Sequence, residues 1–238
     1  MSPRVFAVAA LLIGLTYVFV TPPFAVPDED NHFWRAQAVG HGRLLATHGL
    51  DAMPMPKSVE EFTWVIERTS PAETLAQKLK VAAALPHDGR IGRPIRFAAW
   101  YSPFPYIATG LIAALPLRPV IMFYGGRIAN LLLTVLLIAV AIRAAPQYGN
   151  ISAAAALLPM SLYELSSLSA DALTIALAWL FTALLFSPPR RTWLVAFAGF
   201  ASGLCKPAYF LIALLVFATP LRWRQRMAIL GATAFGTL

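Results

Sequence analysis

The stretch VPDEDNHFWRA (residues 26–36) follows directly after the apolar run VFAVAALLIGLTYVFV (residues 5–20). It places three carboxylates, a histidine and an arginine within a window of eight residues. Pro27 suits the start of a helix, where its missing N–H costs little and acids just downstream meet the positive end of the helix dipole. A charged helix next to a membrane-length apolar segment indicates a protein whose polar groups lie at the edge of a bilayer.

Helical spacing predicts which of these charged residues lie together. Asp28, His32 and Arg35 fall on one face, at positions i, i+4 and i+7. Such a face is suited to hold a divalent cation or a phosphate at the membrane surface. A well-capped amphipathic helix lying on the lipid headgroups explains the same residues equally well.

The composition of the whole chain predicts an all-α fold, a polytopic membrane helix bundle. Of the 238 residues 58% are hydrophobic and 13% charged, and the mean hydropathy is +0.66. The net charge is +8, but the basic residues lie mostly at segment ends and in one loop. Anionic lipid and membrane topology explain that distribution, so we expect no nucleic-acid partner. A single cysteine, Cys205, excludes an internal disulfide and a cysteine-cluster zinc site.

Hydropathy divides the chain into three predicted parts. Residues 1–21 are a first transmembrane helix, which is retained because residues 23–26 make a poor signal cleavage site. Residues 22–100 are an extracytoplasmic loop domain with amphipathic helices. Residues 101–238 are a transmembrane helix bundle that begins with a re-entrant segment, since YSPFPYIATGLIAALPLRP contains four prolines. Further apolar segments are expected at 120–142, 151–167, 171–187, 192–205, 207–221 and from about 228.

The positive-inside rule supports this topology. If the segment at 101–117 enters only the outer leaflet, six later arginines face the cytoplasm, namely Arg143, Arg190, Arg191, Arg222, Arg224 and Arg226. Every acidic residue and every histidine then faces outward. We therefore expect the chemistry of this protein on the outer face of the membrane.

Two helices are predicted within the loop domain. Ser58, followed by two glutamates, gives a start for a helix that runs to about Arg68. Ser70-Pro71-Ala72-Glu73 is a stronger start signal for a second helix, which ends near Pro86. Both helices are expected to lie flat on the bilayer surface.

Three charged residues of the bundle are candidates for function. Arg127 lies within an apolar helix, where its burial costs about 2.5–3.5 kcal/mol unless the side chain snorkels to the headgroups. Lys206 lies before a proline at an outer turn, where a lipid-linked phosphate would be. Asp171 begins a helix at another outer turn, and a first-turn acid explains it about as well as a metal ligand does.

The order of several motifs resembles a family of bacterial multi-pass membrane proteins related in pattern to the GT-C glycosyltransferases. The motifs are VPDEDNHFWRA, YSPFPY, GGRIAN, ALLPMSLYELSSLSADAL and GLCKPAYF. GT-C enzymes take sugars from polyprenyl-phosphate carriers. The resemblance implies a GT-C-like bundle in the bacterial inner (plasma) membrane, with the first loop extracytoplasmic. GT-C proteins are usually longer, so we expect this chain to be truncated or half of a split system.

The resemblance also implies roles for individual residues. Asp28 and Glu29 match the catalytic acidic motif beside the first helix, and Asp171 matches a second acid that joins such a motif around a metal. Asp28 and Asp171 are thus the candidate metal ligands, and hard oxygen donors favour Mg²⁺ or Mn²⁺ over zinc. The candidate substrate-binding residues are His32, Arg35, Tyr101, Tyr106, Arg127 and Lys206.

These assignments predict a glycosyltransferase that moves a sugar from a polyprenyl-phosphate carrier to a glycan or other envelope acceptor outside the cytoplasm. Asp28 or Glu29 would act as the base. Lys206, Arg127 or Arg35 would stabilise the departing phosphate, with or without a metal. The alternative is a non-catalytic protein that binds or translocates lipid-linked glycans in cell-envelope assembly. A structural partner of an envelope enzyme is a third interpretation.

Overall fold

The computed structural model describes residues 1–45, 56–68, 73–88, 90, 102–188 and 191–237, and these residues form an all-helical fold. Short 3-10 stretches precede α5 (Phe104–Tyr106) and α7 (Pro146–Tyr148), and a longer one, Pro207–Ala218, follows α10. The α-helices are, in chain order, α1 (Pro3–Val20), α2 (Glu29–Gly40), α3 (Lys57–Glu67), α4 (Leu75–Ala84), α5 (Ile107–Ala113), α6 (Pro119–Ala144), α7 (Gly149–Ala156), α8 (Pro159–Leu165), α9 (Ala170–Phe186), α10 (Thr192–Cys205) and α11 (Trp223–Phe235).

Two helices of the described chain are long and apolar enough to cross a bilayer. They are α1, with 18 residues, and α6, with 26 residues, and each has a mean hydropathy of 2.0 over its most apolar window. At about 1.5 Å per residue, α6 exceeds the roughly 30 Å hydrocarbon core of a bilayer. A third span is present if α8 and α9 are counted as one, although they are bent by 116° at the break between them. The predicted membrane helix bundle is therefore supported by helix length and composition.

Prolines set several of the helix boundaries. The segment predicted to be re-entrant is a short helical stretch, Phe104–Ala113, which at about 1.5 Å per residue is too short to cross a bilayer. The apolar run predicted at 151–167 is divided into α7 and α8, because Pro159 cannot continue a helix but is accommodated in a first turn. Whether the Phe104–Ala113 stretch enters the outer leaflet stays a prediction.

Both helices predicted in the loop domain are present, but their first residues differ from the prediction. Ser58 lies inside α3, and its hydroxyl donates to the carbonyl oxygen of Asp88 at 3.1 Å. Thr74 caps α4, because its hydroxyl accepts from the backbone N–H of Gln77 while the Gln77 side chain accepts from the N–H of Thr74. The predicted start at residues 70–72 lies outside the described residues.

Packing divides the chain into two compact units. We call Met1–Leu15, Leu131–Leu165 and Ala170–Leu238 the bundle unit, and Thr16–Asn130 with Ser166–Ser169 the loop unit. The domains predicted from hydropathy, 1–21, 22–100 and 101–238, concern position relative to the membrane and stay a prediction.

Each unit has its own apolar core. In the bundle unit, α10 packs against both α9 and α11, and the core includes Phe181, Leu185 and Ile229. In the loop unit the core is aromatic. The rings of Phe24, Phe33, Phe62 and Phe123 meet at centroid distances between 5.1 and 6.2 Å, within the range in which aromatic rings attract one another.

Within the loop unit, α2 and α5 come close enough for their backbones to touch. A Cβ atom on Gly40 would lie 2.5 Å from the carbonyl oxygen of Gly110 and 2.9 Å from the backbone nitrogen of Ala114. Because both obstacles are backbone atoms, the clash cannot be relieved by rotating a side chain. Glycine at position 40 therefore sets the distance between the two helices.

We expect Gly40→Ala to lower the free energy of unfolding by about 1–3 kcal/mol, because it forces α2 and α5 apart. Unfolding of the purified chain by detergent titration measures the change. Gly231→Ala is the matched control: a Cβ there meets nothing within 4 Å, so alanine is expected to stabilise α11 by up to about 1 kcal/mol. Equal effects of the two substitutions would contradict the close approach of α2 to α5.

Candidate functional site

Arg127 and Glu29 form an ion pair in the interior of the loop unit. The Nε–H of Arg127 donates to Oε1 of Glu29 at 2.8 Å, and Nη2 donates to Oε2 at 2.6 Å. Neither side chain has any exposed surface. The guanidinium also lies over the ring of Phe123, with its central carbon 4.6 Å from the ring centroid. Arg127 is thus buried and paired, and the alternative of snorkelling to the headgroups does not apply.

The remaining N–H groups of Arg127 close the carboxyl end of α1. Nη1 donates to the carbonyl oxygens of Val18 and Thr21, both at 2.8 Å, and Nη2 donates to that of Pro22 at 3.1 Å. The last carbonyls of a helix lack partners within the helix, and the dipole favours a positive charge beside them. All five guanidinium N–H groups are therefore engaged within the protein.

Glu29 has the complementary role at the start of α2. It is the first residue of that helix, where the dipole favours a negative charge. Besides Arg127, its carboxylate accepts from the backbone N–H of Phe24 at 3.1 Å and from that of Leu168 at 3.2 Å. A carboxylate offers about four acceptor positions. Glu29 uses all of them to join three segments of the loop unit.

The GGRIAN motif extends this network along α6. The side-chain amide of Asn130 donates to the carbonyl oxygens of Ser167 and Ser169, at 2.8 and 3.3 Å. Gly126 lets the same segment approach closely, because a Cβ there would lie 2.8 Å from a methyl carbon of Leu168. The structure therefore brings together the charged stretch after α1, the GGRIAN motif and the SSLS segment before α9.

The turn between α1 and α2 carries backbone strain. Phe24 and Asp28 both have positive φ, 62° and 56°. The left-handed conformation costs L-residues roughly 1–2 kcal/mol, and aspartate tolerates it better than a bulky side chain does. Phe24 is held there by the aromatic core and by its hydrogen bond to Glu29. Asp28 precedes α2, is exposed and makes no side-chain capping hydrogen bond.

The predicted common face of Asp28, His32 and Arg35 is wrong for Asp28. Its left-handed backbone places it outside the helix and in solvent, whereas His32 and Arg35 are buried. The two buried side chains lie in a helix that packs against α5 within the loop unit. Burial of most of α2 also contradicts the alternative of an amphipathic helix lying on the headgroups.

His32 and Arg35 contact buried polar groups of the loop unit. Nδ1 of His32 lies 2.6 Å from the hydroxyl oxygen of Tyr106, and both rings are buried. Arg35 donates to the carbonyl oxygens of Arg43 and Leu44 at 3.1 and 2.7 Å. Burial lowers the pKa of the Arg35 guanidinium, and the charge of an ionised Tyr106 acts in the opposite direction. The remaining predicted aromatic residue, Tyr101, lies outside the described residues.

One acid of the loop unit has a perturbed pKa. Partial burial, and secondarily the negative charge of Asp30, raise the pKa of the Glu67 carboxyl. Glu67 ends α3 and Asp30 lies in the first turn of α2, so the start of α2 carries an acidic edge beside Asp28. Perturbed carboxyls of this kind are typical of functional sites but also occur in structural clusters.

In the bundle unit, Lys206 pairs with Asp171. The ammonium nitrogen lies 2.5 Å from Oδ1 of the aspartate, and the two side chains are 31% and 34% exposed. An ammonium at this distance opposes binding of a divalent cation by the same carboxylate. Asp28, the other candidate ligand, belongs to the loop unit.

The predicted Mg²⁺ or Mn²⁺ site rests on the two carboxylates of Asp28 and Asp171 and stays a prediction. Among the described residues, no group of three or more His, Cys, Asp or Glu side chains is arranged to hold a metal ion. We therefore derive no reaction step through a metal.

The fold and the buried charge network together define an α-helical membrane protein with a buried polar junction beside its first span. Over residues 11–238 the chain matches the model of the family described as "Predicted membrane protein (DUF2142)", and it belongs to that family. No curated protein and no solved structure matches the chain.

Removing one partner of the buried ion pair should be strongly destabilising. We expect Arg127→Met to lower the free energy of unfolding by about 3–5 kcal/mol, because Glu29 then stays buried without a counter-charge. Detergent-titration unfolding of the purified chain measures this loss. The control is Lys57→Met, which breaks an exposed pair with Glu61 (both side chains 45% exposed) and is expected to cost less than about 1 kcal/mol. A comparable loss in the two variants would refute the structural role of Arg127.

The raised pKa of Glu67 predicts that the stability of the protein depends on pH. Because the folded-state pKa lies above the unfolded value, folding favours the protonated acid, and the parent loses stability as pH rises through the folded pKa. Glu67→Gln, which stays neutral, should therefore have a higher Tm than the parent at pH 8. The two Tm values should converge below about pH 4, near the unfolded pKa of glutamate. Parallel Tm curves over this range would show that Glu67 is not perturbed.

Proposed function

We propose that this protein transfers a glycosyl group from a polyprenyl-phosphate carrier to an acceptor hydroxyl on the outer side of a bacterial inner membrane. The observation that carries the proposal is Asp28, an exposed acid in a strained left-handed conformation on a turn fixed by the buried Glu29–Arg127 pair. Strain retained at an exposed polar residue is typical of functional sites. The motif resemblance to the GT-C class supplies the reaction type.

In the proposed reaction the acceptor hydroxyl oxygen attacks the anomeric carbon of the donor. The bond from that carbon to the carrier phosphate breaks, and its electron pair leaves with the phosphate. The proton of the acceptor hydroxyl passes to the carboxylate of Asp28. A general base must come within about 2.6–3.2 Å of the group that it deprotonates. An exposed carboxylate on a rigid support is suited to this task.

The buried residues take positioning roles in this proposal. Glu29 was a second candidate base, but its carboxylate accepts four hydrogen bonds and has no exposed surface. Arg127 was a candidate for phosphate binding, but its N–H groups are all engaged. We assign both to holding the turn that presents Asp28. Lys206 belongs to the bundle unit, where its ammonium pairs with Asp171, and its predicted role at the carrier phosphate stays a prediction.

One observation favours the non-catalytic alternative, a protein that binds or translocates lipid-linked glycans. Of the predicted acidic pair, Glu29 is buried in the internal ion pair and Asp28 is the exposed member. A single exposed carboxylate suffices to bind sugar hydroxyls without turnover. The two functions differ in whether labelled sugar leaves the carrier lipid.

We expect Asp28→Gly to separate function from stability. Glycine adopts positive φ without strain, so the variant should gain up to about 1 kcal/mol of stability. Loss of the base should reduce sugar transfer by about 10²–10⁴-fold. The assay follows a radiolabelled sugar from a polyprenyl-phosphate donor to acceptors in membranes that express the chain. Stability is measured on the purified chain.

Asp88→Asn is the control, since this carboxylate, which is 21% exposed, contacts Arg90 in another part of the loop unit and should leave transfer unchanged. Transfer by the parent and the control but not by Asp28→Gly supports the proposed enzyme. Unchanged transfer by Asp28→Gly contradicts it. If the parent binds the donor lipid but transfers no sugar, the result contradicts the proposed enzyme and supports the binding alternative.

A further inference from the structure

Two neighbouring clefts open at the end of the bundle unit where α6 and α9 end and α10 begins. The larger has a volume of about 330 Å³, and the smaller about 230 Å³. The two clefts flank the end of α6. Ala144 lines the smaller cleft, and the next residue, Ala145, lines the larger one. Along α9 they are adjacent in the same way, through Ala183 in the larger cleft and Leu184 in the smaller.

The larger cleft is suited to a hydrocarbon chain. Trp179, Thr182, Ala183 and Phe186 line it from α9. Tyr148 lines it from the 3-10 stretch before α7, and Ser152 from α7 itself. Tryptophan and tyrosine are the side chains that collect at the boundary between membrane and water. Tyr148 is itself 46% exposed, as expected for an aromatic residue at such a boundary.

The smaller cleft carries a cationic side chain and a hydroxyl without a partner. Arg191 lines it and is exposed. Ser187 also lines it and is 8% exposed, and within the described chain its hydroxyl has no hydrogen-bond partner. A buried hydroxyl without a partner is unfavourable, because it has lost its hydrogen bonds to water. A ligand oxygen in the smaller cleft would supply the partner that the protein does not.

This end of the bundle unit is strongly basic. Arg143 lies in the last turn of α6. The side-chain amide of Gln225 donates to the hydroxyl oxygen of Thr192 at 3.0 Å, which brings the start of α11 and its arginines to the start of α10. In the sequence of the bundle unit the acidic residues are Glu164 and Asp171. Glu164 lies in α8, and Asp171 lies in the first turn of α9, whose last turns line the clefts, so neither acid lines a cleft.

We propose that the two clefts form a binding site for an anionic phospholipid. The phosphate headgroup lies beside Arg191 and accepts a hydrogen bond from the Ser187 hydroxyl, and one acyl chain follows the larger cleft. Basic pockets between transmembrane helices bind anionic headgroups in this manner. The apolar cleft next to the cationic one favours a lipid over a soluble phosphate, which would leave the larger cleft unused. The site is independent of the proposed glycosyl transfer.

Native mass spectrometry of the full chain in detergent tests this site, with phosphatidylglycerol and phosphatidylcholine added at equal concentration. We expect phosphatidylglycerol adducts to exceed phosphatidylcholine adducts, and Arg191→Ala to weaken phosphatidylglycerol binding about fivefold. Ser187→Ala should weaken it in the same direction. Arg224→Ala is the matched control, because it removes an equal charge from α11 at a residue that lines neither cleft.

Three outcomes would overturn the proposal. If Arg191→Ala and Arg224→Ala weakened phosphatidylglycerol binding equally, the weakening would come from the change in overall charge and not from a specific site. Equal binding of the two lipids by the parent would remove the preference for an anionic headgroup. Displacement of phosphatidylglycerol by inorganic phosphate at the same concentration would mean that the acyl chain contributes nothing, and the ligand would then be a free anion. The Arg191 and Arg224 side chains are exposed, so both variants should fold.

Discussion

The ion pair between Glu29 and Arg127 is the interaction on which the loop unit depends. It buries two opposite charges where two helix ends meet. The guanidinium of Arg127, a residue of α6, contacts the carboxyl end of α1, and Glu29 is the first residue of α2. Each helix dipole therefore favours the charge that lies beside it. A buried ion pair is stabilising only when the remaining donors and acceptors are also satisfied. Here the backbone groups of the intervening turn and of Leu168 satisfy them.

This constraint connects the fold to the proposed chemistry. With both of its ends fixed, the turn between α1 and α2 cannot relax the left-handed conformations of Phe24 and Asp28. The carboxylate of Asp28 is thus held in solvent by the fixed turn, while the neighbouring Glu29 is buried away from solvent. Two adjacent acids in the sequence take different roles because their surroundings differ, one buried against an arginine and the other exposed.

The sequence predicted the helical class, the span at α6 and the presence of α3 and α4, because hydrophobic periodicity and polar starts report directly on these features. It also singled out Glu29 and Arg127 separately. Their pairing joins residues 98 positions apart, and local spacing carries no information about such contacts. Asn130 was missed, since one amide in an apolar helix resembles a packing residue. Its place three residues after Arg127, on the same helix face, was the available signal.

The most direct test of the central claim is a double-mutant cycle with Glu29→Gln, Arg127→Met and the double variant, followed by unfolding of the purified chain. If the buried pair fixes the turn, the two residues are coupled by about 2–3 kcal/mol, and the double variant is much more stable than the sum of the single losses predicts. Additive losses, within about 0.5 kcal/mol, would mean that the two charges do not act together, and the account of the turn would fail.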